Sequence, residues 1–290
     1  MDRVAKSYAP LIEERDGKTT VTLSEDHPGF GDRRYIEHRE RIAAAALHAR
    51  TGDPVPYIMY SEEDDATWQL VTTSLSKLHK QYAAAEYLAH FDALNLPSDR
   101  APQLRDVSDT IGELTGFKMT PAAGIVGTTT FYGELANRTF NATQYIRHPS
   151  QPRFSPEPDM IHEIIGHGAH LANERWARMY ELVGKAVLRL SNPKAVQLVS
   201  RVFWFSMECG VVEEKGELKV WGASLLTSAG EMAQFRNVDI RELDLAGMAK
   251  QGYEPDAYQP VLYKARSLGH FEDFLEDFLT MIDDDTPDAI

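Results

Sequence analysis

Two histidines five residues apart constrain this chain more than anything else in it. They sit in the run Pro158-Asp159-Met160-Ile161-His162-Glu163-Ile164-Ile165-Gly166-His167, whose remaining positions are largely apolar and helical in pattern. Imidazole is the commonest protein metal ligand, and two on one short segment supply two coordination positions at little entropic cost. The spacing decides the class. A zinc-protease helix carries its pair at i and i+4, about 40° apart around the axis. Here i+4 is Gly166, and i+5 opens the angle to about 140° on an ideal α-helix. Both rings reach one ion only at a helix end or a distortion, for which Gly166 offers backbone freedom. The other reading is two neighbouring core histidines.

A third ligand would set the metal class. In Phe203-Trp204-Phe205-Ser206-Met207-Glu208-Cys209-Gly210-Val211-Val212, Glu208 is the only carboxylate among residues that otherwise read as core. A buried carboxylate must be protonated, paired or metal-bound. Arg201 is the alternative partner. Two His and one carboxylate, with no cysteine pair nearby, is the facial set of non-haem Fe(II) oxygenases, which leaves one side of the metal open.

The rest of the chain bounds the answer. With 290 residues, 43% hydrophobic and 26% charged, it is long enough for a substantial core and ordinary for a globular protein. A net charge of −14 argues against nucleic acid or an anionic membrane as partner. One cysteine excludes an intrachain disulfide framework. Met1 to Lys6 opens without a signal-peptide core, and no apolar run approaches a membrane span, so a cytoplasmic enzyme is expected.

In chain order, residues 1–33 read as a polar N-terminal arm with a short strand at 19–23. His27 lies in turn chemistry and reads as a surface or capping residue. An alanine-rich helix over 34–50 stops at Thr51-Gly52. A capping box at Ser61 starts a long helix through about Leu94, and residues 103–115 form another, closed by Gly116. Residues 121–127 are a two-glycine loop after no clear strand, and 143–147 a short strand ending on Arg147. Asn173 caps a helix to about Leu190, and Pro193 starts the one carrying Glu208. A hairpin turns at Lys215-Gly216, 222–236 is helical, and an acidic amphipathic helix spans 265–284 ahead of a solvated Asp283–Asp285 run. Asp159 is an acceptor for an imidazole N–H or a first-turn acid. His170 is a rival ligand or a core or surface histidine.

These motifs together resemble the catalytic domain of the pterin-dependent aromatic amino acid hydroxylases, closest to the bacterial phenylalanine hydroxylases. The resemblance rests on Asp26-His27-Pro28-Gly29-Phe30, Pro102 to Ser108, Thr115-Gly116-Phe117, Thr143 to His148, Pro156-Glu157-Pro158-Asp159, the His162 to His167 run, Trp204-Phe205 with Glu208, Gly222-Ala223, and Gly230-Glu231. It runs in order over nearly the whole chain. It implies a mainly α fold, one catalytic domain over 1–290 with short β-hairpins, no regulatory or tetramerisation domain, and hence a monomer. It implies Fe(II) on His162, His167 and Glu208, and a tetrahydropterin co-substrate against Gly124, Val126, Thr128, Phe131, Glu163 and Phe203. Arg147 would take the carboxylate of the amino acid, with Ser155, Thr227 and Ser228 beside it, while Phe154, Pro158 and Trp204 wall the ring. Dioxygen would be the oxidant.

Two departures bear on regiochemistry. Phenylalanine 4-hydroxylases usually carry Phe after the metal Glu and Gly or Ala fifteen residues on; this chain has Cys209 and Ser224. Trading an aromatic wall for a small one and adding a side chain opposite leans the ring toward meta hydroxylation; Cys209 and Ser224, with Glu163 beside the pterin, are the candidate catalytic residues. Phe203 and Asn141 stand where Tyr and His are usual. Open alternatives are para hydroxylation of phenylalanine, a tryptophan hydroxylase, a zinc hydrolase with Glu163 as general base, and a non-catalytic aromatic-ligand binder.

Overall fold

The computed structural model describes residues 10–50 and 52–290; the readings of Met1 to Lys6 and of the helix stop at Thr51 lie outside them. Strands β1 (Leu11–Arg15) and β2 (Lys18–Thr22) form a hairpin over Asp16 and Gly17, both at positive φ. Helix α1 (Arg33–His48) starts where the Asp32 carboxylate accepts the N–H groups of Arg34 and Tyr35. It buries Ala43 against Val21 and Leu23 of the arm.

The capping box at Ser61 starts α2 (Glu62–Tyr82), which buries Trp68, Val71 and Leu75 along one stripe. The helix does not run to Leu94. It breaks after Tyr82, where Ala83 bridges Val220 and the Ala84 N–H donates to the Val220 carbonyl at 2.9 Å. Helix α3 (Ala85–Phe91) then restarts the chain. Helix α4 (Leu104–Thr115) ends at Gly116 with φ 73°.

A strand precedes the two-glycine loop, where the sequence shows no clear one. β3 (Lys118–Ala122) pairs in parallel with β4 (Thr139–Thr143), and α5 (Thr128–Leu135) connects them. The strand therefore ends at Thr143, and residues 144–147 continue as irregular chain. Thr128 opens that helix, directly after the loop.

The histidine run is a π-helix, His162–Gly168, continued by the short α6 (Ala169–Leu171). Helix α7 (Glu174–Leu188), capped by Asn173, precedes α8 (Pro193–Phe203), which passes into a second π-helix, Trp204–Glu208. β5 (Val211–Glu214) and β6 (Glu217–Val220) turn on Lys215 and Gly216, both at positive φ. The stretch read as one helix over 222–236 is two, α9 (Ala223–Thr227) and α10 (Ala229–Met232), split at Ser228. β7 (Asp239–Glu242), α11 (Leu245–Lys250) and β8 (Val261–Ala265) follow, and α12 (Leu268–Met281) begins after β8, not at Ala265. Asp284 is not merely solvated: its carboxylate accepts the N–H groups of Ser191 and Asn192, both at 2.8 Å.

The architecture is mainly helical with small sheets. The sheets are not all hairpins, because β8 pairs in parallel with both β5 and β7 in the order β6-β5-β8-β7. Both π-helices sit in the central apolar cluster, with Ile161, Ile164, Ile165, Phe205 and Met207 each at most 1% exposed. Burying such side chains contributes roughly 1.5–3 kcal/mol apiece. No helix among the described residues is long and apolar enough to cross a membrane.

Candidate metal centre and adjoining pocket

In a π-helix the backbone bonds run i to i+5, so the fifth residue lies about one turn on and near the same face. That is the distortion the histidine spacing demands, and it brings His162 Nε2 within 2.9 Å of His167 Nε2. Gly166 contributes differently from the expectation: its φ is not positive, and a Cβ there would lie 2.9 Å from the Ala223 Cβ and 3.0 Å from the Ala223 carbonyl oxygen. The residue is small because α9 packs against it. Gly166→Ala is expected to cost about 1–3 kcal/mol by overpacking and to lower the melting temperature by several degrees in a calorimetric scan.

The second π-helix delivers Glu208. Its Oε1 lies 3.2 Å from His167 Nε2 and its Oε2 3.7 Å from His162 Nε2. Arg201 is not its partner, since that guanidinium donates to the Ala249 carbonyl. Gly222 abuts the Glu208 backbone so closely that a Cβ would collide with it. This approach places Ser224 where its hydroxyl donates to Glu208 Oε2 at 2.8 Å. Ser224 thus fixes the carboxylate as well as lining the pocket, which its identity alone did not indicate.

Hydrogen-bond bookkeeping assigns both tautomers. The Thr227 hydroxyl donates to the Ala223 carbonyl at 2.8 Å, so its oxygen accepts from His162 Nδ1–H at 3.2 Å. His170 donates from Nε2 to the Trp221 carbonyl at 3.0 Å, leaving Nδ1 to accept from the Tyr180 hydroxyl at 3.2 Å. Tyr180 oxygen in turn accepts from His167 Nδ1–H at 2.7 Å. Both Nε2 atoms therefore present lone pairs to each other and to a carboxylate, an arrangement that a shared cation satisfies. His170, 1% exposed, is a support to this chain and not a ligand position. Asp159 accepts the backbone N–H of His162 at 3.1 Å, not an imidazole N–H.

The electrostatics agree with a cation site. Burial drives the His162 pKa down to about 4, aided by His167. Burial also opposes charge on His167 and Glu208, but each outweighs it for the other: the His167 pKa is raised, and Glu208 is held at about 2. Glu163 donor atoms fall within 4.8 Å of the two histidines. Its Oε1, however, accepts from the Thr143 N–H and hydroxyl, both at 3.2 Å, and burial pushes its pKa up to about 7. It is 5% exposed and not a solvated helix acid.

A pocket of about 290 Å³ opens beside the centre, lined by His162, Glu208, Arg147, Phe154, Ser155, Pro158, Trp204, Cys209, Ser224, Thr227 and Ser228. Every residue proposed for the substrate end is in this wall. Arg147 is not on the surface: it is 4% exposed and binds Asp159 through Nε at 2.9 Å and Nη2 at 2.8 Å. Its Nη1 donates to the Thr227 carbonyl at 3.2 Å. The Ser155 hydroxyl donates to the Glu157 carbonyl at 2.6 Å, and Ser228 oxygen accepts the Glu231 N–H at 3.3 Å. Trp204 stacks on Tyr253 at 4.5 Å, and Phe154 meets Tyr258 edge-on at 5.4 Å.

Sequence reasoning missed Ile125, Glu157, Glu231 and Gln259 in the same wall. Glu157 explains His27. That histidine is buried, not a surface residue; its Nδ1 accepts the Gly29 N–H at 2.9 Å, and Nε2 lies 3.1 Å from Glu157 Oε1, which also takes Arg39. The N-terminal arm thereby braces the pocket wall.

Gly124, Val126 and Thr128 do not line this pocket, and Gly124 packs against Ile12 of β1. Phe131 is half-buried, with its ring centre 5.4 Å from Phe140 and 6.4 Å from Phe203. Phe203 is 6% exposed and stacks toward His167 at 6.5 Å. The Asn141 Oδ1 atom is buried without a donor among the described residues, while its amide donates to Thr120 at 3.1 Å.

Comparison with known proteins matches residues 12–286 to the family described as biopterin-dependent aromatic amino acid hydroxylase. A phenylalanine 3-hydroxylase of Streptomyces coeruleorubidus is 41% identical over 264 residues, covering 91% of this chain and 95% of that protein. The tyrosine 3-monooxygenase of Bos taurus is 38% identical over 90% of this chain, which spans only 54% of that protein. Among solved structures, the Chromobacterium violaceum phenylalanine hydroxylase with iron(III) and 7,8-dihydrobiopterin has a TM-score of 0.72 at 26% identity, covering 79% of this chain and 85% of that one. The apo enzyme of Colwellia psychrerythraea 34H has a TM-score of 0.73 at 28% identity, with 80% and 91% covered. The chain belongs to the biopterin-dependent aromatic amino acid hydroxylases.

Proposed function

We propose that this chain is an Fe(II)- and tetrahydropterin-dependent monooxygenase that hydroxylates the ring of L-phenylalanine at the meta carbon. The observation that carries the reading is the convergence of two bare imidazole nitrogens and one carboxylate beside a pocket whose wall also holds a buried guanidinium. The donor set suits iron. Two imidazoles and one carboxylate, with no thiolate among them, match the ligand set of non-haem iron and leave other coordination positions free. Glu163, the base a zinc hydrolase would use, is turned to Thr143.

His162, His167 and Glu208 would hold the iron. The pterin would lie along Gly124, Val126, Thr128, Phe131 and Phe203 near Glu163, a setting whose aromatic faces suit a flat heterocycle. Together iron and pterin supply the electrons and the activation of dioxygen. The protein's own work is positioning. Arg147, locked by Asp159, presents its remaining N–H to the substrate carboxylate. Trp204, Phe154 and Pro158 hold the ring and keep water out. Cys209 and Ser224 shape the end beside Glu208, and the 41% identical relative carries the name of a 3-hydroxylase.

The test is aerobic incubation of the purified chain with Fe(II), a tetrahydropterin and each aromatic amino acid in turn. Meta-tyrosine from phenylalanine, dependent on both additions, is the expected product. Sole formation of para-tyrosine would overturn the regiochemistry, and turnover that needs zinc and no pterin would overturn the class.

A further inference from the structure

We infer that Glu231 receives the α-ammonium group of the substrate, so that the pocket reads an amino acid by both charges of its head group. The inference rests on the amino acid reading above and deepens it.

Glu231 opens toward the same pocket as Arg147, yet it is only 6% exposed. Among the described residues it has no ion-pair partner, and its contacts are to the protein backbone and a hydroxyl. Its Oε1 accepts the Gln259 N–H at 2.7 Å, and its own N–H donates to Ser228 at 3.3 Å. Every other buried carboxylate in this wall is accounted for: Glu208 faces the histidines, and Glu157 takes Arg39 and His27. Arg147 is already neutralised by Asp159. Glu231 is therefore the one carboxylate of this wall that faces no basic side chain among the described residues, and a buried carboxylate without a cation is costly. Burial pushes its pKa up to about 7, with only the Gln259 N–H opposing. A zwitterion brings the missing cation with it. Gln259 also links the two halves of the pocket, because its Oε1 accepts the Trp204 indole N–H at 3.0 Å. Head-group binding at Glu231 is thus tied to the ring wall.

Glu231→Gln tests this while keeping shape and the acceptor for Gln259. Fe(II)-loaded wild type and variant are titrated anaerobically, by calorimetry, with L-phenylalanine and with 3-phenylpropanoate, which lacks the ammonium. Wild type should prefer L-phenylalanine. The variant should bind it about 10- to 100-fold more weakly and hold 3-phenylpropanoate as well as before, erasing the preference. Glu231→Asp, which keeps the charge, should retain it. Equal weakening of both ligands in Glu231→Gln, or none, overturns the inference; failure of wild type to bind L-phenylalanine at all would instead overturn the substrate reading.

Discussion

Glu208→Gln is expected to yield a folded chain that no longer retains iron. Gln has nearly the volume of Glu, and the position is only 8% exposed, so packing is preserved. What goes is the charge. Two neutral imidazoles with Nε2 atoms 2.9 Å apart supply no anion, and the amide is a weak ligand for a hard divalent cation. Iron per chain, measured by mass spectrometry after desalting, should fall from near one to a trace. Hydroxylation should drop by more than about 10³-fold, about 4 kcal/mol at 1.36 kcal/mol per decade. Glu163→Gln is the control. Its carboxylate lies within 4.8 Å of the histidine nitrogens, but it is held by Thr143. That variant should keep its iron. Retention of stoichiometric iron by Glu208→Gln, or its loss from Glu163→Gln, would show that the ligand set is misassigned.

What the sequence makes legible here follows a physical rule. The i+5 histidine spacing announces a distortion because no regular α-helix brings the two rings together; only coordinates say that it is a π-helix. Glu208 stands out because an acid in an apolar run needs a reason. Residues whose role depends on distant partners stay silent. Ala83 and Ala84 are good helix formers, and only the pairing with Val220, far along the chain, breaks α2 there. The parallel pairs of β3 with β4 and of β8 with β5 and β7 join segments that share no local signal. His170 looks like a ligand by type and turns out to orient Tyr180, two hydrogen bonds from the centre. Glu231 sits in a motif with no visible cation, and its isolation is a property of the folded pocket alone.

The product is expected to move from the meta to the para position when Cys209→Phe is combined with Ser224→Gly. Both side chains line the pocket beside Glu208, and Cys209 is 1% exposed, so there is no free space for a phenyl ring at 209 alone. Cys209→Phe by itself should overpack the site, at about 1–3 kcal/mol, and lose activity without a clean change of product. Ser224→Gly removes a second side chain from the same pocket wall and makes room. It also deletes the 2.8 Å hydrogen bond to Glu208 Oε2, so iron affinity should fall by about 10- to 100-fold, and the assay needs excess Fe(II). With the new ring as a wall, the substrate would be pushed along the pocket between Arg147, the proposed anchor of its carboxylate, and the metal side. A shift on the order of 1 Å suffices to change which carbon is aligned. A tenfold change in product ratio needs only about 1.4 kcal/mol of difference between the two transition states, within reach of one repacked aromatic contact. Separation of meta- and para-tyrosine by liquid chromatography reads the ratio directly. A double variant that turns over with the wild-type ratio would mean that the ring is aimed by Trp204, Phe154 and Pro158 instead, and that the Cys209 side of the pocket is a bystander to regiochemistry.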